Sequence, residues 1–208
     1  MSPRAARVAL TGGIATGKSH VRRRLEAAGV PTLDADALAR DALAPASDAT
    51  AAVRRRFGES IVSADGVVNR GALGRLVFAD DEARRDLEAI VHPRVHERIE
   101  RWFANLDAAR EPMGVADIPL LFETGRAADF DRVIVAVCDP EQQVERMIAR
   151  DGLAREDALA RLRAQWPIGR KAALADDVID TNGDVVETDR QVEALHRRLT
   201  TLYRADRS

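Results

Sequence analysis

A glycine-rich loop near the start of the chain constrains its fold more than any other feature. Residues 8–10 form an apolar run typical of a buried strand, and residues 21–28 carry apolar side chains at helical spacing. Between them, Gly12 to Ser19 read G-x-x-x-x-G-K-S, the phosphate-binding pattern in the strand–loop–helix context that it requires. The predicted nucleotide-binding residues of this loop are Gly12, Gly13, Ile14, Ala15, Thr16, Gly17, Lys18 and Ser19.

The last two residues of the motif predict the chemistry of the site. In such loops the lysine, here Lys18, reaches the β- and γ-phosphates, and the hydroxyl of Ser19 is offered to Mg²⁺. Lys18 and Lys171 are the only lysines among 32 basic residues. A chain that otherwise uses arginine keeps a lysine where a compact ammonium must lie among phosphates. These observations favour a nucleotide site over an ordinary glycine-rich turn.

The composition argues against several other classes of protein. Hydrophobic residues make up 46% of the 208 residues, and the net charge of −2 gives no basic excess of the kind that binds nucleic acid. We interpret the arginine clusters at 22–24 and 54–56 as solvated helix faces. The sequence has no secretion signal and no apolar run of 18 residues. We expect a soluble cytoplasmic protein with no nucleic-acid or membrane partner, and no protein partner is evident.

The single cysteine, Cys138, excludes an intrachain disulfide and is consistent with a reducing compartment. Its position at the end of an apolar run predicts a small buried hydrophobe and not a catalytic thiol.

The order of the predicted elements indicates an α/β fold. Further strands are predicted at 32–33, 113–121, 132–137 and 178–179, with helical segments between them. This alternation argues for a parallel sheet. The helical tract between the second strand and Met113 is too long for a simple crossover, so we interpret it as an inserted helical subdomain. The helices from Glu141 to Lys171 are the candidate for a smaller lid.

Local signals also predict where helices begin and end. The helical tract at 38–57 should break around Pro45 to Asp48, and Asp80 is placed to cap the next helix. His92-Pro93 should interrupt that helix, with Pro93 opening a new one. Apolar residues at helical spacing between 192 and 202 predict a C-terminal helix.

Three polar elements are predicted at the edge of the sheet where ligands collect, namely the glycine-rich loop, the pair Asp34 and Asp36, and Asp117. Asp34 and Asp36 follow the second strand, and either is able to accept a hydroxyl proton or help to hold Mg²⁺. Helix capping is an equal alternative for this pair, because a helical pattern begins at Leu38. Asp117 lies in the next apolar run and resembles the magnesium-binding carboxylate of nucleotide hydrolases.

Other candidate side chains lie farther along the chain. Arg146 and Arg150 are four residues apart, so they share one helix face and are able to close over transferring phosphates. A solvated helix face is the alternative for both. His92 has no companions at metal-ligand spacing, so we expect no metal site there.

Six segments together resemble the dephospho-coenzyme A kinase family. They are LTGGIATGKS at 10–19, LDADALAR at 33–40, LEAIVHPRV at 87–95, DIPLLFETG at 117–125, QVERMIARDG at 143–152 and ADDVIDTNGD at 175–184. Many families share the first motif, whereas the D-A-D, H-P and D-I-P-L-L-F-E segments in this order are far more specific. The matches run from residue 8 to about 202.

The resemblance implies a three-layer P-loop kinase with a sheet of about five strands. Its reaction would transfer the γ-phosphate of ATP, with Mg²⁺, to the ribose 3′-hydroxyl of dephospho-coenzyme A, the last step of coenzyme A synthesis. The implied organisation is a single domain over 1–208, with a core at about 5–36, 111–140 and 172–204, a helical substrate-binding insertion at about 37–110 and a lid at about 141–171.

The resemblance also implies roles for individual residues. Asp36 is favoured as the base, and Lys18, Arg146 and Arg150 act on the transferring phosphate. Asn182 and Gly183 would lie near the adenine. The implied substrate-binding residues are Asp34, Arg70, His92, Pro93 and Leu120, and the implied metal-binding residues are Ser19 and Asp117.

The chain departs from the family pattern in two places. His20 follows the loop serine where threonine is usual, and Trp166 to Gly169 replace a more polar stretch of the lid. The second departure leaves open how the lid makes its contacts there.

Rival functions differ in the motifs they need. A kinase of another small substrate, such as a nucleoside monophosphate kinase, shares the loop and the lid but lacks this D-A-D and H-P pairing. A GTPase needs an N-K-x-D motif, and neither Lys18 nor Lys171 follows an asparagine. A nucleotide-binding regulatory protein without catalysis stays open on the sequence alone.

Overall fold

The computed structural model describes residues 4–205. Within this range one sheet contains five strands, which are β1 (Ala6–Gly12), β2 (Thr32–Asp34), β3 (Met113–Asp117), β4 (Arg132–Val137) and β5 (Asp177–Asp180). The α-helices of the same range are α1 (Lys18–Ala27), α2 (Ala35–Ala42), α3 (Asp48–Phe57), α4 (Arg70–Ala79), α5 (Asp81–Ala108), α6 (Pro140–Asp151), α7 (Arg155–Arg163), α8 (Ile168–Ala172) and α9 (Val185–Ala205).

The sheet is parallel throughout and has the strand order β2-β3-β1-β4-β5. In this register Leu10 of β1 lies beside Asp117 of β3, and Asp117 lies beside Asp34 of β2. The strands therefore end together, and the loop after β1 emerges beside both carboxylates. The predicted α/β class and parallel sheet are confirmed.

Helices cover both faces of the central strand. Val8 and Leu10 point to one face, where they share an apolar cluster with Val21 and Leu25 of α1 and with the buried side of α9. Ala9 points to the other face and is equally inaccessible to water. Because neighbouring residues of one strand are both buried, this sheet forms the middle layer of three, as expected for a parallel sheet.

The chain divides into two compact units. The first comprises the residues up to Asp34 together with those from Phe103 onward, and it contains the whole sheet. The second is Ala35–Trp102. It is helical and has an apolar cluster of its own, formed by the buried side chains of Val53, Ile61, Val62, Val68 and Leu73.

Several predicted boundaries are confirmed. The break near residue 45 separates α2 from α3, and Ser47 caps α3 by accepting a hydrogen bond from the Thr50 N–H. Asp80 accepts hydrogen bonds from the Glu82 and Ala83 N–H groups before α5, as an N-cap residue does. Cys138 is 2% exposed, which agrees with the predicted small buried hydrophobe.

The predicted interruption at His92-Pro93 is wrong, because α5 continues through Pro93. Proline removes one backbone hydrogen bond from a helix, but its ring lies here on the exposed side. Val91, Val95 and Ile99 are buried in steps of four residues across the same segment. Packing of this continuous apolar stripe outweighs the local cost of the proline.

Two further predictions need correction, and one helix was not predicted. The third strand ends at Asp117 and not at Leu121, because the chain turns between Pro119 and Gly125. The second of the predicted lid helices, for which the sequence pattern runs from Glu156 to Trp166, ends at Arg163. The short helix α8 was not predicted, since five residues carry too little periodicity to detect.

None of the helices found between residues 4 and 205 combines the length and the apolar character that crossing a membrane would require.

Candidate active site

The loop between β1 and α1 has the tight geometry of a phosphate-binding loop. A side chain at Gly12 would bring its Cβ atom within 2.6 Å of Thr16 Oγ1 and 2.7 Å of the Ala136 carbonyl oxygen, so only glycine fits. Gly17 has φ 77° and caps the N-terminus of α1 in the left-handed region, which glycine tolerates. Ala15 also has a positive φ, of 57°, and holds a conformation that side chains rarely adopt.

Lys18 is the first residue of α1, and its ammonium pairs with the Asp117 carboxylate. Side-chain exposure is 13% for Lys18 and 3% for Asp117, so water screens the pair weakly. The strand register explains the contact, because Asp117 ends β3 directly beside β1. The two residues that the sequence assigned to phosphate and to metal therefore meet at one point.

Asp34 and Asp117 form a pair of carboxylates at the ends of β2 and β3. Burial raises the pKa of Asp117 above its ordinary value, and the Lys18 ammonium offsets part of that effect. Arg22, one turn after Lys18, places Nη2 3.5 Å from Asp34 Oδ2 and Nε 3.4 Å from Asp117 Oδ2. The prediction of a solvated face is thus wrong for Arg22, because β2 and β3 end under this side of α1.

The donor set fits a magnesium ion of the kind that a nucleotide brings. Among the described residues, no group of three or more His, Cys, Asp or Glu side chains is arranged to hold a metal. Mg²⁺ in kinases needs no such cage, since one or two carboxylates, phosphate oxygens and water complete its shell. The Asp117 carboxylate and the hydroxyl of Ser19, the residue after Lys18 in α1, are oxygen ligands of the required type.

Arg146 and Arg150 lie on α6, but they have different surroundings. Arg146 donates from Nη2 to the Thr181 carbonyl at 2.6 Å and from Nη1 to the Ala15 carbonyl at 3.4 Å. Arg150 is exposed and donates to the carboxylate of Asp151 at 2.8 Å. The structure therefore brings Arg146 to the phosphate-binding loop, whereas Arg150 lies at the surface near the bend at Gly152.

The segment predicted to lie near the adenine follows β5. The side-chain oxygen of Asn182 accepts a hydrogen bond from the Asp139 N–H at 2.7 Å, and its carbonyl accepts one from Gln142 Nε2 at 3.2 Å. Gly183 comes directly after it, before α9. These contacts fasten the segment after β5 to the start of α6.

The unusual lid segment packs on the turn that follows β3. Phe122 and Trp166 stack at 6.3 Å between ring centroids, and the Arg170 guanidinium lies 3.4 Å above the Trp166 ring. The backbone N–H of Trp166 also donates to Glu123 Oε1 at 3.1 Å. Leu120, in the same turn, is 37% exposed. The segment that departs from the family pattern is thus held to this turn by aromatic and cation–π contacts as well as by one hydrogen bond.

Sequence reasoning missed several polar residues around the loop. Lys171 is fully buried and reaches Glu123 Oε1 at 2.7 Å, Gln143 is equally buried, and Thr181 lies under Gly17. Gln165 accepts a hydrogen bond from the Ile14 N–H at 2.8 Å. The scarcity of lysine was a signal that pointed to Lys171 as well as to Lys18, whereas the other three carry no mark in the sequence.

The helical unit contains a separate cleft of about 360 Å³. Its walls carry Asp36, Arg70 and His92, three residues implied by the family resemblance, together with apolar side chains such as Leu87. Asp36 lies in the first turn of α2 and not in the strand, since β2 ends at Asp34. Pro93 follows His92 within α5. A mixed apolar and charged cleft suits an organic molecule that carries charged groups.

Comparisons with known proteins agree on one family. The family model described as dephospho-CoA kinase matches residues 6–187. A dephospho-CoA kinase of Parasynechococcus marenigrum is 52% identical over 179 residues, which cover 86% of this chain and 89% of that protein. A crystal structure of a protein from Thermus thermophilus superposes with a TM-score of 0.82 at 35% identity, covering 95% of this chain and 100% of the other.

A dephospho-CoA kinase from Campylobacter jejuni has a TM-score of 0.71 at 25% identity, over 94% of this chain and 97% of that one. The family match and the high coverage in both directions agree with the loop, the paired carboxylates and the parallel sheet described above. The chain therefore belongs to the dephospho-CoA kinase family and is a kinase.

Proposed function

We propose that this chain transfers the γ-phosphoryl group of ATP to the ribose 3′-hydroxyl of dephospho-coenzyme A, giving coenzyme A and ADP. The observation that carries the proposal is the meeting of Lys18 and Asp117 at the mouth of the phosphate-binding loop, in a chain of this family. The reaction is the last step of coenzyme A synthesis, and we place it in the cytoplasm with no protein, nucleic-acid or membrane partner required.

The phosphate-binding loop and the carboxylates at the ends of β2 and β3 have different roles in binding ATP, the phosphoryl donor. Backbone N–H groups of the loop and the N-terminus of α1 bind phosphate oxygens, and Lys18 balances charge on the β- and γ-phosphates. Mg²⁺, when bound, would neutralise developing charge on the phosphates, and Ser19 and Asp117 are the residues that would hold it. Arg22 lies beside Asp34 and Asp117 and reduces the repulsion between them.

The acceptor side involves the helical unit. Asp36 is proposed as the base that receives the proton of the 3′-hydroxyl, because its carboxylate lines the cleft that also presents Arg70 and His92. The positive and hydrogen-bonding groups of Arg70 and His92 suit the phosphates of the acceptor. Asp34, Pro93 and Leu120 are also proposed to bind the acceptor, and the helical insertion at about 37–110 is proposed to be the substrate-binding part of the chain.

The segment from residue 141 to 171 is proposed to act as the lid. Arg150 is exposed near Gly152, whose φ of 65° ends α6 in a bend. A cation in this place is available to meet the charge that spreads over the transferring phosphoryl oxygens. Asn182 and Gly183 are proposed to receive the adenine.

A direct test measures ADP formation from ATP and Mg²⁺ with and without dephospho-coenzyme A, and locates the new phosphate by ³¹P NMR. We expect ADP to form only with the acceptor and the phosphate to appear on the 3′-oxygen. AMP is the control acceptor, because a nucleoside monophosphate kinase would use it. ATP consumption that ignores dephospho-coenzyme A, or that prefers AMP, would overturn the proposal.

A further inference from the structure

Each carbonyl of the phosphate-binding loop from Gly12 to Thr16 accepts a hydrogen bond from a side chain. The donors and distances are Lys171 Nζ to Gly12 at 3.1 Å, Thr16 Oγ1 to Gly13 at 2.9 Å, Gln143 Nε2 to Ile14 at 2.6 Å, Arg146 Nη1 to Ala15 at 3.4 Å, and Thr181 Oγ1 to Thr16 at 2.7 Å. Four of the five donors come from residues more than 120 positions away in the chain.

These bonds orient the N–H groups of the loop. In a planar trans peptide the carbonyl and the following N–H point in opposite directions. A carbonyl held from outside the loop by Lys171, Gln143 or Thr181 therefore turns the next N–H toward the inside. The longer bond from Arg146 to the Ala15 carbonyl, at 3.4 Å, is the exception, because the next N–H, that of Thr16, donates to the Gly13 carbonyl. Lys171, Gln143 and Thr181 hold every second carbonyl, and so they turn the N–H groups of residues 13, 15 and 17 inward.

The N–H groups between these, of residues 14 and 16, donate hydrogen bonds to oxygen atoms of the protein itself. The Ile14 N–H donates to Gln165 Oε1 at 2.8 Å, and the Thr16 N–H donates to the Gly13 carbonyl at 3.3 Å. Along the loop, N–H groups that are hydrogen-bonded within the protein thus alternate with N–H groups that face the inside of the loop. A row of inward N–H groups is the arrangement that binds a phosphate.

The surroundings of Lys171 suit an ammonium group that holds the Gly12 carbonyl. Its ammonium is fully buried and meets three oxygens, those of Glu123 at 2.7 Å, Gly12 at 3.1 Å and Pro119 at 3.3 Å. Three acceptors match the three donors of an ammonium group, whereas a planar guanidinium would not fit the same space. The need for a compact cation explains why this arginine-rich chain places its second lysine here.

Gln143 and Thr181 are fitted to the loop just as closely. A Cβ atom at Gly13 would lie 2.5 Å from Gln143 Nε2, and one at Gly17 would lie 3.5 Å from Thr181 Oγ1. Gln143 is 0% exposed and Thr181 4%. Burying polar groups is unfavourable unless they make hydrogen bonds, and the bonds from Gln143 Nε2 and Thr181 Oγ1 to loop carbonyls offset part of that cost. The other amide atom of Gln143, Oε1, is buried and makes no hydrogen bond within the described residues.

We propose that Lys171, Gln143 and Thr181 form a carbonyl brace, which sets the phosphate-binding loop in its binding conformation before the nucleotide arrives. They are positioning residues, since they act through the backbone and touch no phosphate themselves. The brace rests on the proposed function, because it assumes that the loop holds the β-phosphate of a nucleotide. Preorganised donors bind more tightly because the loop loses less conformational freedom on binding.

The test compares the binding of ADP and AMP by isothermal titration calorimetry. The variants are Gln143→Met and Thr181→Val, which keep the size of the side chain and remove the donor, together with Lys171→Met. Loss of one hydrogen bond that orients a donor should weaken ADP binding about five- to tenfold. AMP lacks the β-phosphate, so its affinity should stay the same.

Thr188→Val is the matched control. Thr188 is as buried as Thr181, but its hydroxyl donates at 3.2 Å to the carbonyl of Asp184, the residue that precedes its own helix. It should bind both nucleotides like the wild-type protein. Circular dichroism shows whether Lys171→Met still folds, and the two isosteric variants decide the question if it does not.

The possible results distinguish a failure of the carbonyl brace from a failure of the proposed function on which it rests. Equal weakening of ADP and AMP, or no weakening in the folded variants, would overturn the brace while leaving the kinase assignment intact. A wild-type protein that binds ADP no better than AMP would instead overturn the β-phosphate site, and the brace with it.

Discussion

The ammonium of Lys18 and the carboxylate of Asp117 form a largely buried ion pair where β1 and β3 end. Each group has a second natural partner in the proposed reaction, phosphate for Lys18 and Mg²⁺ for Asp117. In the proposed reaction, binding of the magnesium nucleotide would therefore replace the Lys18–Asp117 ion pair with two contacts, one between Lys18 and phosphate and one between Asp117 and Mg²⁺. The exchange keeps both charges neutralised, which matters because neither side chain is well hydrated.

Lys18→Ala should lower turnover by at least about 10²-fold, because it removes a preorganised cation from the transferring phosphates. The variant should remain folded, since Arg22 still faces Asp117. Steady-state kinetics and circular dichroism check both statements. Lys18→Arg is the companion variant that keeps the charge, and it should also fail because a planar fork does not fit the loop. Near-normal turnover in a folded Lys18→Ala protein would contradict the site.

Asp36→Asn should lower turnover by about 10²-fold while leaving ATP binding and melting temperature nearly unchanged. The substitution keeps the size of the side chain and removes the base. Asp34→Asn should be milder, because Asp34 lies beside Asp117 and Arg22 at the ends of the strands. Turnover, Mg²⁺ dependence and stability of the two variants should be measured side by side. A loss of stability with preserved turnover in Asp36→Asn would identify a helix-capping residue instead.

Arg150→Ala should reduce turnover about 10²-fold and leave the affinity for ATP almost unchanged, as expected for a contact made in the transition state. Arg155→Ala is the matched control, since Arg155 is an exposed arginine of the same segment that is paired with Glu141. Its kinetics should equal those of the wild-type protein. Equal losses in binding and turnover for Arg150→Ala would indicate a ground-state contact.

Asp177 should make the stability of the protein depend on pH in the acid range. Burial acts to raise its pKa, but hydrogen bonds from Arg132 at 2.5 Å and Arg198 at 2.6 Å dominate and lower it. A carboxyl whose pKa is lower in the folded state stabilises fully above its unfolded value of about 3.9. That stabilisation is lost as the pH falls through the lower, folded value.

Asp177→Asn should therefore lower the free energy of unfolding by about 1–3 kcal/mol at pH 7, with a difference from wild type that shrinks below about pH 4. Urea unfolding at pH 7, 4 and 3 measures this. Asp81→Asn is the control, because Asp81 is an exposed partner of Arg84 and should change stability little. A difference that stays constant with pH would show that packing, and not the charge of Asp177, is responsible.

Local signals were enough to predict the loop, most of the strands and the parallel sheet. Glycines, a lysine and apolar runs mark these features over short stretches of chain, so they can be read without knowing which residues meet in space. Pro93 shows the limit of such rules, because the stripe that includes Val91 and Val95 carries the helix through it. The outcome depends on tertiary packing, which no local pattern contains.

The polar contacts of the site depend on distant parts of the chain. Arg22 looked like part of a solvated arginine cluster, and only the register of β2 and β3 places Asp34 and Asp117 beneath it. Gln143 and Thr181 carry no signal at all, since their roles arise from where α6 and the end of β5 pack. Lys171 was missed as well, although the rarity of lysine in this chain is a signal that could have pointed to it.

The order of strands in the sheet has a consequence for the synthesis of the protein on the ribosome. β1 leaves the ribosome early, but its two neighbours are β3, which begins at Met113, and β4, which begins at Arg132. At roughly 5–20 residues per second, the nascent strand waits several seconds or more with the backbone hydrogen-bonding groups of both edges unpaired. The helical unit Ala35–Trp102 is translated during that interval and contains its own apolar core. Translation thus completes the inserted unit before the central strand of the sheet meets either of its partners.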